Sequence, residues 1–141
     1  MREVGVRGLV LDFGGVLTDY GDDLAASLPP LAAVAGEVRR RGVRTAILSN
    51  ADGLWSPPAG WQDLFDLVVT SGEVGLVKPD RRIYLLAARR LGVEPGECVF
   101  VDDLAVNVRG AAAAGMVGVH HRSVRSTVEE LEVLLDVPLG E

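Results

Sequence analysis

Five short apolar runs, each leading into a polar residue and most followed by a stretch of helical periodicity, constrain this chain more than any other feature. They are residues 8–11 (Gly-Leu-Val-Leu), 43–48, 67–70, 98–101 and 116–120. None shows the alternation of apolar and polar residues that a half-exposed strand carries, so they read as strands covered on both faces. Between them lie helical patterns over residues 30–41, bounded by Gly42, and 80–91, capped by Asp80 and bounded by Gly92. Further helices are expected over 104–114 and 127–135, the last with Ser126 as its cap, and a short one over 61–65. Strands alternating with helices predict an α/β domain, a parallel sheet with helices on both faces. The chain has no internal repeat and no linker, so residues 1–141 read as one domain. A chain of this length buries roughly two thirds of its unfolded surface, and 48% hydrophobic residues supply the core.

Charge and composition then remove several classes of function. Twenty acidic residues against fourteen Lys and Arg give a net charge of −6, which opposes nucleic-acid binding through phosphate neutralisation. The basic cluster Arg39, Arg40, Arg41 falls where a helix ends and complements the helix dipole. No apolar run reaches the roughly 18 residues that span a bilayer, and Met1, Arg2, Glu3 do not begin a signal peptide. Cys98 is the only cysteine and forms no internal disulfide. A reducing cytoplasm is the expected setting.

In open parallel sheets ligands bind outside the carboxyl ends of the strands, so the residues just past each run carry the chemistry. The first run delivers Asp12, followed by Phe13, Gly14 and Gly15, where two residues without a Cβ let the backbone turn tightly and approach a ligand. The second delivers Ser49 and Asn50. Beyond the third come Lys78 and Pro79, and the fourth ends in Asp102 and Asp103. Thirteen of the fourteen basic residues are Arg, and the single exception is Lys78. Asp12, Asp102 and Asp103 crowded on one rim would repel each other, and desolvation would raise their pKa values. A hard dication with oxygen ligands relieves this, and Mg²⁺ suits a site that offers one or two carboxylates and takes phosphate oxygens from a substrate. With Lys78 as a compact positive charge, and the Ser49 hydroxyl and a backbone N–H as donors, the rim is equipped for phosphoryl transfer.

These motifs, in the order Asp12-Phe-Gly-Gly-Val-Leu-Thr18, Ser49-Asn50, Lys78-Pro79 and Val-Asp102-Asp103-x-x-x-Asn107, resemble the haloacid dehalogenase-like superfamily of hydrolases over nearly the whole chain. The resemblance implies a three-layer, Rossmann-like core with strand order 5-4-1-2-3 and an aspartyl-phosphate intermediate. By position, Asp12 would be nucleophile and metal ligand, and Lys78 would orient it and stabilise the intermediate. Ser49 and Asn50 would hold the phosphoryl group beside the Gly14-Gly15 turn. Asp103 would be the main second metal ligand, with Asp102 beside it directly or through water, and the Gly14 carbonyl would complete the Mg²⁺ site. Asn107 would fix the last motif's loop, or else bond its own helix turn.

Two departures qualify the resemblance. Phosphatases of the superfamily usually carry a second aspartate where this chain has Gly14. Without it, general acid–base help worth about 10² to 10⁴ in rate is missing. Asp19, His120 and His121 are candidate replacements, although the histidines read first as solvated residues at the edge of the fifth strand. The dehalogenase branch also lacks that aspartate but uses no metal, and its last motif does not resemble Asp102-Asp103. A binding module without turnover is the third reading. The other departure is size. Only ten residues, Asp19 to Leu28, fill the interval where relatives insert a cap, against the roughly 50 of a small domain. A capless site takes a bulky substrate, borrows cover from another subunit in a homodimer, or hydrolyses small phosphates unselectively. The loop 51–60, with Trp55, Pro57 and Pro58, could roof it, but reads rather as a surface loop with a hydrophobic anchor. A small phosphorylated metabolite is the expected partner, with no nucleic acid and no membrane.

Overall fold

The computed structural model describes residues 5–19 and 28–139. Five parallel strands run β1 (Gly8–Leu11), β2 (Arg44–Ser49), β3 (Leu67–Thr70), β4 (Cys98–Asp102) and β5 (Val117–His120). They lie in the order β3-β2-β1-β4-β5, which is the expected order read from the other edge. The first strand therefore sits at the centre, with Leu9 beside Thr45 on one side and Val99 on the other.

Successive side chains of a strand point to opposite faces, and the buried residues divide accordingly. Leu9, Leu11, Val99 and Val101 pack on one face with Leu31, Val34 and Val38 of α1 (Pro30–Arg40) and Leu131 of α5 (Val124–Leu135). Val10, Leu48 and Phe100 pack on the other with Ile83, Tyr84 and Ala87 of α3 (Arg81–Leu91) and Ala111 of α4 (Ala105–Ala113). All four residues of β1 are buried, as a strand between two helical layers must be. None of the described helices is long and apolar enough to cross a membrane.

Several boundaries differ from the sequence reading. Residues 61–65 form turns, not a helix. Trp61 and Phe65 have helical spacing only because both side chains fill the core beneath the loop. That segment is held from outside: Thr45 Oγ1 donates to the Leu64 carbonyl at 2.7 Å, and the Thr45 N–H donates to the Asp66 carboxylate at 2.8 Å. A single helical turn, α2 (Ser71–Val74), follows β3, its start capped by the Thr70 hydroxyl accepting from the Glu73 N–H. Helix α5 begins three residues earlier than expected, because Ser123 is the cap and Ser126 supplies the N–H it accepts. Asp80 caps α3 as read, accepting the Arg82 N–H at 2.9 Å.

Candidate active site

Strand β1 ends by locking Asp12 onto the neighbouring strand, its N–H donating to the Val101 carbonyl at 3.0 Å. The chain then coils through Phe13–Leu17, where Gly14 is extended and Gly15 takes φ +80°, a left-handed conformation that only glycine adopts freely. The Gly15 N–H donates to Thr18 Oγ1 at 2.8 Å. A Cβ at Gly15 would overlap the Asp103 carboxylate, so this glycine is also what allows the Asp103 side chain to lie against the turn.

Lys78 is the hub. Its Nζ donates to Asp12 Oδ1 at 2.8 Å, Asp102 Oδ2 at 2.9 Å and the Leu48 carbonyl at 3.0 Å, so all three ammonium protons are engaged. The Phe100 ring lies below it, 5.4 Å from Nζ to the ring centre. Asn50 holds the Lys78 backbone from both sides: its Nδ2 donates to the Lys78 carbonyl at 3.2 Å, and the Lys78 N–H donates to its Oδ1 at 2.9 Å. The Asn50 side chain thus positions Lys78. The expectation that Asn50 holds a phosphoryl group is left to its backbone.

Asp102 is fully buried, and both its oxygens are occupied. Oδ2 accepts from Lys78 and, at 3.1 Å, from Asn107 Nδ2, while Oδ1 accepts the Leu104 N–H at 3.0 Å. Asn107 therefore does fix the loop after β4, and its carbonyl accepts the Tyr84 hydroxyl at 2.7 Å. Carboxylate oxygens of Asp12, Asp102 and Asp103 lie within 4.8 Å of one another. Burial raises the Asp12 carboxyl from 3.8 to about 6 despite the opposing charge of Lys78, with Asp102 adding to the rise. Burial, and then the neighbouring Asp102 carboxyl, raise Asp103 as well. Three hard oxygen donors with surplus negative charge fit a small dication. Asp102 already accepts three hydrogen bonds, so Asp12 and Asp103 are the carboxylates with the most capacity left to bind it, with Asp102 Oδ1 beside them.

These groups open into a cavity of about 420 Å³ whose polar wall is Asp12, Ser49, Asn50, Lys78, Asp103 and Asn107. Phe13, Gly14, Trp55 and Leu104 line the rest. A larger groove of about 810 Å³ between α1 and α5 brings no such set together; its polar lining is the scattered pairs of Glu and Arg on the helix surfaces. Loop 51–60 proves to be both anchor and wall, since Trp55 packs edge-on against Phe13, ring centres 4.8 Å apart, and also faces the cavity. Phe13 and Leu104 escaped the sequence reading, although an apolar residue directly past a strand-end carboxylate is a readable signal.

His120 does end the edge strand β5 and is half-buried, whereas His121 is not a solvated edge residue. His121 is 4% exposed. Its Nε2 lies 2.8 Å from Asp19 Oδ2 and its Nδ1 2.7 Å from Thr127 Oγ1. His120 Nε2 lies 3.0 Å from the Asp103 carbonyl. Neither histidine nor Asp19 is among the described residues that line the cavity, so none of them stands where Gly14 leaves a gap.

Known proteins place this geometry. A model of the haloacid dehalogenase-like hydrolases matches residues 20–115. The chain is 34% identical over 121 residues to acyl-CoA dehydrogenase family member 10 of Mus musculus, covering 84% of this chain and 11% of that protein. It is 39% identical over 97 residues to a phosphatase of Mycobacterium tuberculosis, covering 65% of this chain and 45% of the relative. The chain thus spans less than half the length of either curated relative. A solved protein of Corynebacterium glutamicum superposes with a TM-score of 0.82 at 33% identity, over 97% of this chain and 99% of that one. The chain belongs to the haloacid dehalogenase-like hydrolase family.

Proposed function

We propose that the chain is a Mg²⁺-dependent phosphatase that works through an aspartyl-phosphate on Asp12 and acts on a small phosphorylated metabolite. The observation that carries this reading is the Lys78 ammonium held between Asp12 and Asp102 at 2.8 and 2.9 Å, in the cavity that also presents Ser49 and Asp103. Asp12 and Asp103, with the Gly14 carbonyl, would hold the Mg²⁺, and Asp102 would support it from behind. When bound, the ion neutralises the carboxylates and the phosphoryl oxygens.

Lys78 engages Oδ1 of Asp12, which leaves Oδ2 to attack phosphorus. Ser49 and backbone N–H groups at the end of β2 donate to the phosphoryl oxygens, and Lys78 offsets the charge that builds on them. The P–O bond to the leaving group breaks with its electron pair, and water then cleaves the new P–O bond to Asp12. The mycobacterial phosphatase relative supports the reaction class. The acidic Asp103 favours a phosphatase over a metal-free dehalogenase. The single cysteine, Cys98, is a buried thiol and supports a cytoplasmic setting.

The test is Mg²⁺-dependent release of phosphate from acetyl phosphate and a panel of monoesters. Activity should vanish in Asp12→Asn, and activity retained there overturns the proposal. If Mg²⁺ binds but no ester, anhydride or haloacid turns over, the chain is a binding module.

A further inference from the structure

Two independent features of the cavity bear on what leaves the phosphorus. The first is the absence of a proton donor among the described residues. Gly14 has no side chain, and among the described residues a Cβ built there meets nothing within 4 Å. Lys78 has no proton to give, because each is bound to Asp12, Asp102 or the Leu48 carbonyl. The remaining described ionisable groups on the wall, Asp12 and Asp103, serve as nucleophile and metal ligand. With no donor among the described residues, a leaving group departs as an anion. An alcohol gives up its proton about as reluctantly as water, near 15.7, whereas a phenol does so near 10, as tyrosine does.

The second feature is the apolar side of the same cavity. The protein has only seven aromatic residues besides histidine, and four of them form one run beside the site. Trp55 packs on Phe13 at 4.8 Å, Phe13 on Trp61 at 5.9 Å, and Trp61 on Phe65 at 6.2 Å. Trp61 and Phe65 are buried, so they fix the base of the run. Phe13 and Trp55, which reach the cavity, are only half-buried. Leu104 lines the cavity from the β4 side and is 54% exposed. Exposed apolar residues scattered singly mean little, but several that share a cavity with reactive groups mark a binding surface.

We infer that the site is selective for aryl phosphates, whose ring lies against Trp55, Phe13 and Leu104 while Asp12 takes the phosphoryl group and the phenolate leaves unprotonated. This rests on the phosphatase reading above. Asp12 Oδ2 forms the new bond to phosphorus, the P–O(aryl) bond breaks, and its electron pair departs on the phenolate oxygen, which takes a proton from water outside. The ring's occupant is settled by continuity: the apolar wall and the nucleophile belong to one cavity, and flat aromatic faces suit a flat ring better than a sugar.

The experiment compares kcat/KM in Mg²⁺ for phenyl phosphate, glycerol phosphate and acetyl phosphate, the last having a good leaving group without a ring. Phenyl phosphate should exceed glycerol phosphate by about 100-fold or more, the size of the missing acid catalysis. Trp55→Ala and, separately, the surface change Leu104→Ser should each lower kcat/KM for phenyl phosphate about 10-fold more than for acetyl phosphate, as the loss of ring burial requires. Leu104→Ser leaves the aromatic run intact, so it decides the matter if Trp55→Ala fails to fold. Acetyl phosphate turned over with both variants losing equally on both substrates would overturn the aryl selectivity and leave the phosphatase standing. No turnover of any of the three would overturn the phosphatase reading and the selectivity with it.

Discussion

Asn50 and Lys78 close a two-bond ring, the side-chain amide of one accepting from and donating to the backbone of the other at 2.9 and 3.2 Å. The ammonium at the far end of Lys78 can bridge two carboxylates only if its backbone stays where this ring holds it. Asn50→Ala leaves the Lys78 N–H and carbonyl without these partners, which costs about 1–3 kcal/mol of stability. Turnover should fall about 10- to 100-fold as the lysine loses its register. Urea unfolding and steady-state rates measure both, and an unaltered rate in a destabilised protein would show that Lys78 is positioned by other contacts.

Gly15 presents its bare Cα to the Asp103 carboxylate, in a backbone conformation that a side chain disfavours. Gly15→Ala combines about 1–2 kcal/mol of conformational cost with displacement of Asp103. Mg²⁺ affinity should fall about 10- to 100-fold, as it does when a ligand's support is removed. Titration calorimetry reads the affinity directly, without reference to catalysis.

The acidic cluster makes the protein's response to Mg²⁺ depend on pH. Asp12 has an ordinary pKa of 3.8 and a folded one of about 6. A raised carboxyl means that protonation favours the fold. Its contribution is complete below about pH 4 and is lost as pH rises through 6, amounting to about 3 kcal/mol. A dication binds the deprotonated site and restores that loss. The rise in Tm on adding Mg²⁺ should therefore be larger at pH 7.5 than at pH 5.0. Equal rises at the two values would mean that Asp12 is not among the ligands.

At Gly14 the backbone has φ −68° and no described residue within 4 Å of an added Cβ, so an aspartate suits this backbone. Gly14→Asp should speed alkyl phosphates by about 10² or more and aryl phosphates less, since only the former need a proton. The described residues also offer no base for the hydrolytic step, so aspartyl-phosphate should accumulate. With 4-nitrophenyl phosphate, stopped flow should show a burst of about one equivalent of phenolate, which Gly14→Asp diminishes. Equal acceleration of both substrate classes would count against the acid–base account.

The strands and their carboxyl-terminal residues were legible because each buried strand is a contiguous apolar run whose end is marked by the first polar side chain. Asp12, Ser49, Lys78 and Asp103 converge as that pattern implies. What local sequence could not show is what each side chain bonds to across the fold. Asn50 looks like a phosphate ligand until its amide is found on Lys78, 28 residues away. His121 looks like a strand-edge residue until Asp19, 102 residues earlier, is found beside it. Trp61 and Phe65 mislead for the opposite reason: their spacing suits a helix, yet tertiary packing buries both rings in a chain of turns.

The central place of β1 has a consequence for how the molecule comes into being. Val10 pairs with Ala46 on one side and Phe100 on the other, so the strand made first completes its ladder only when residues 98–102 arrive. Asp12 meets Lys78 across 66 residues of chain, and such distant closures come late in folding. A chain still emerging from the ribosome carries the proposed nucleophile for most of its synthesis without the lysine or the acidic pair beside it. Asp12 therefore gains its partners only once β1, β2 and β4 lie side by side, and a half-made chain lacks the assembled site.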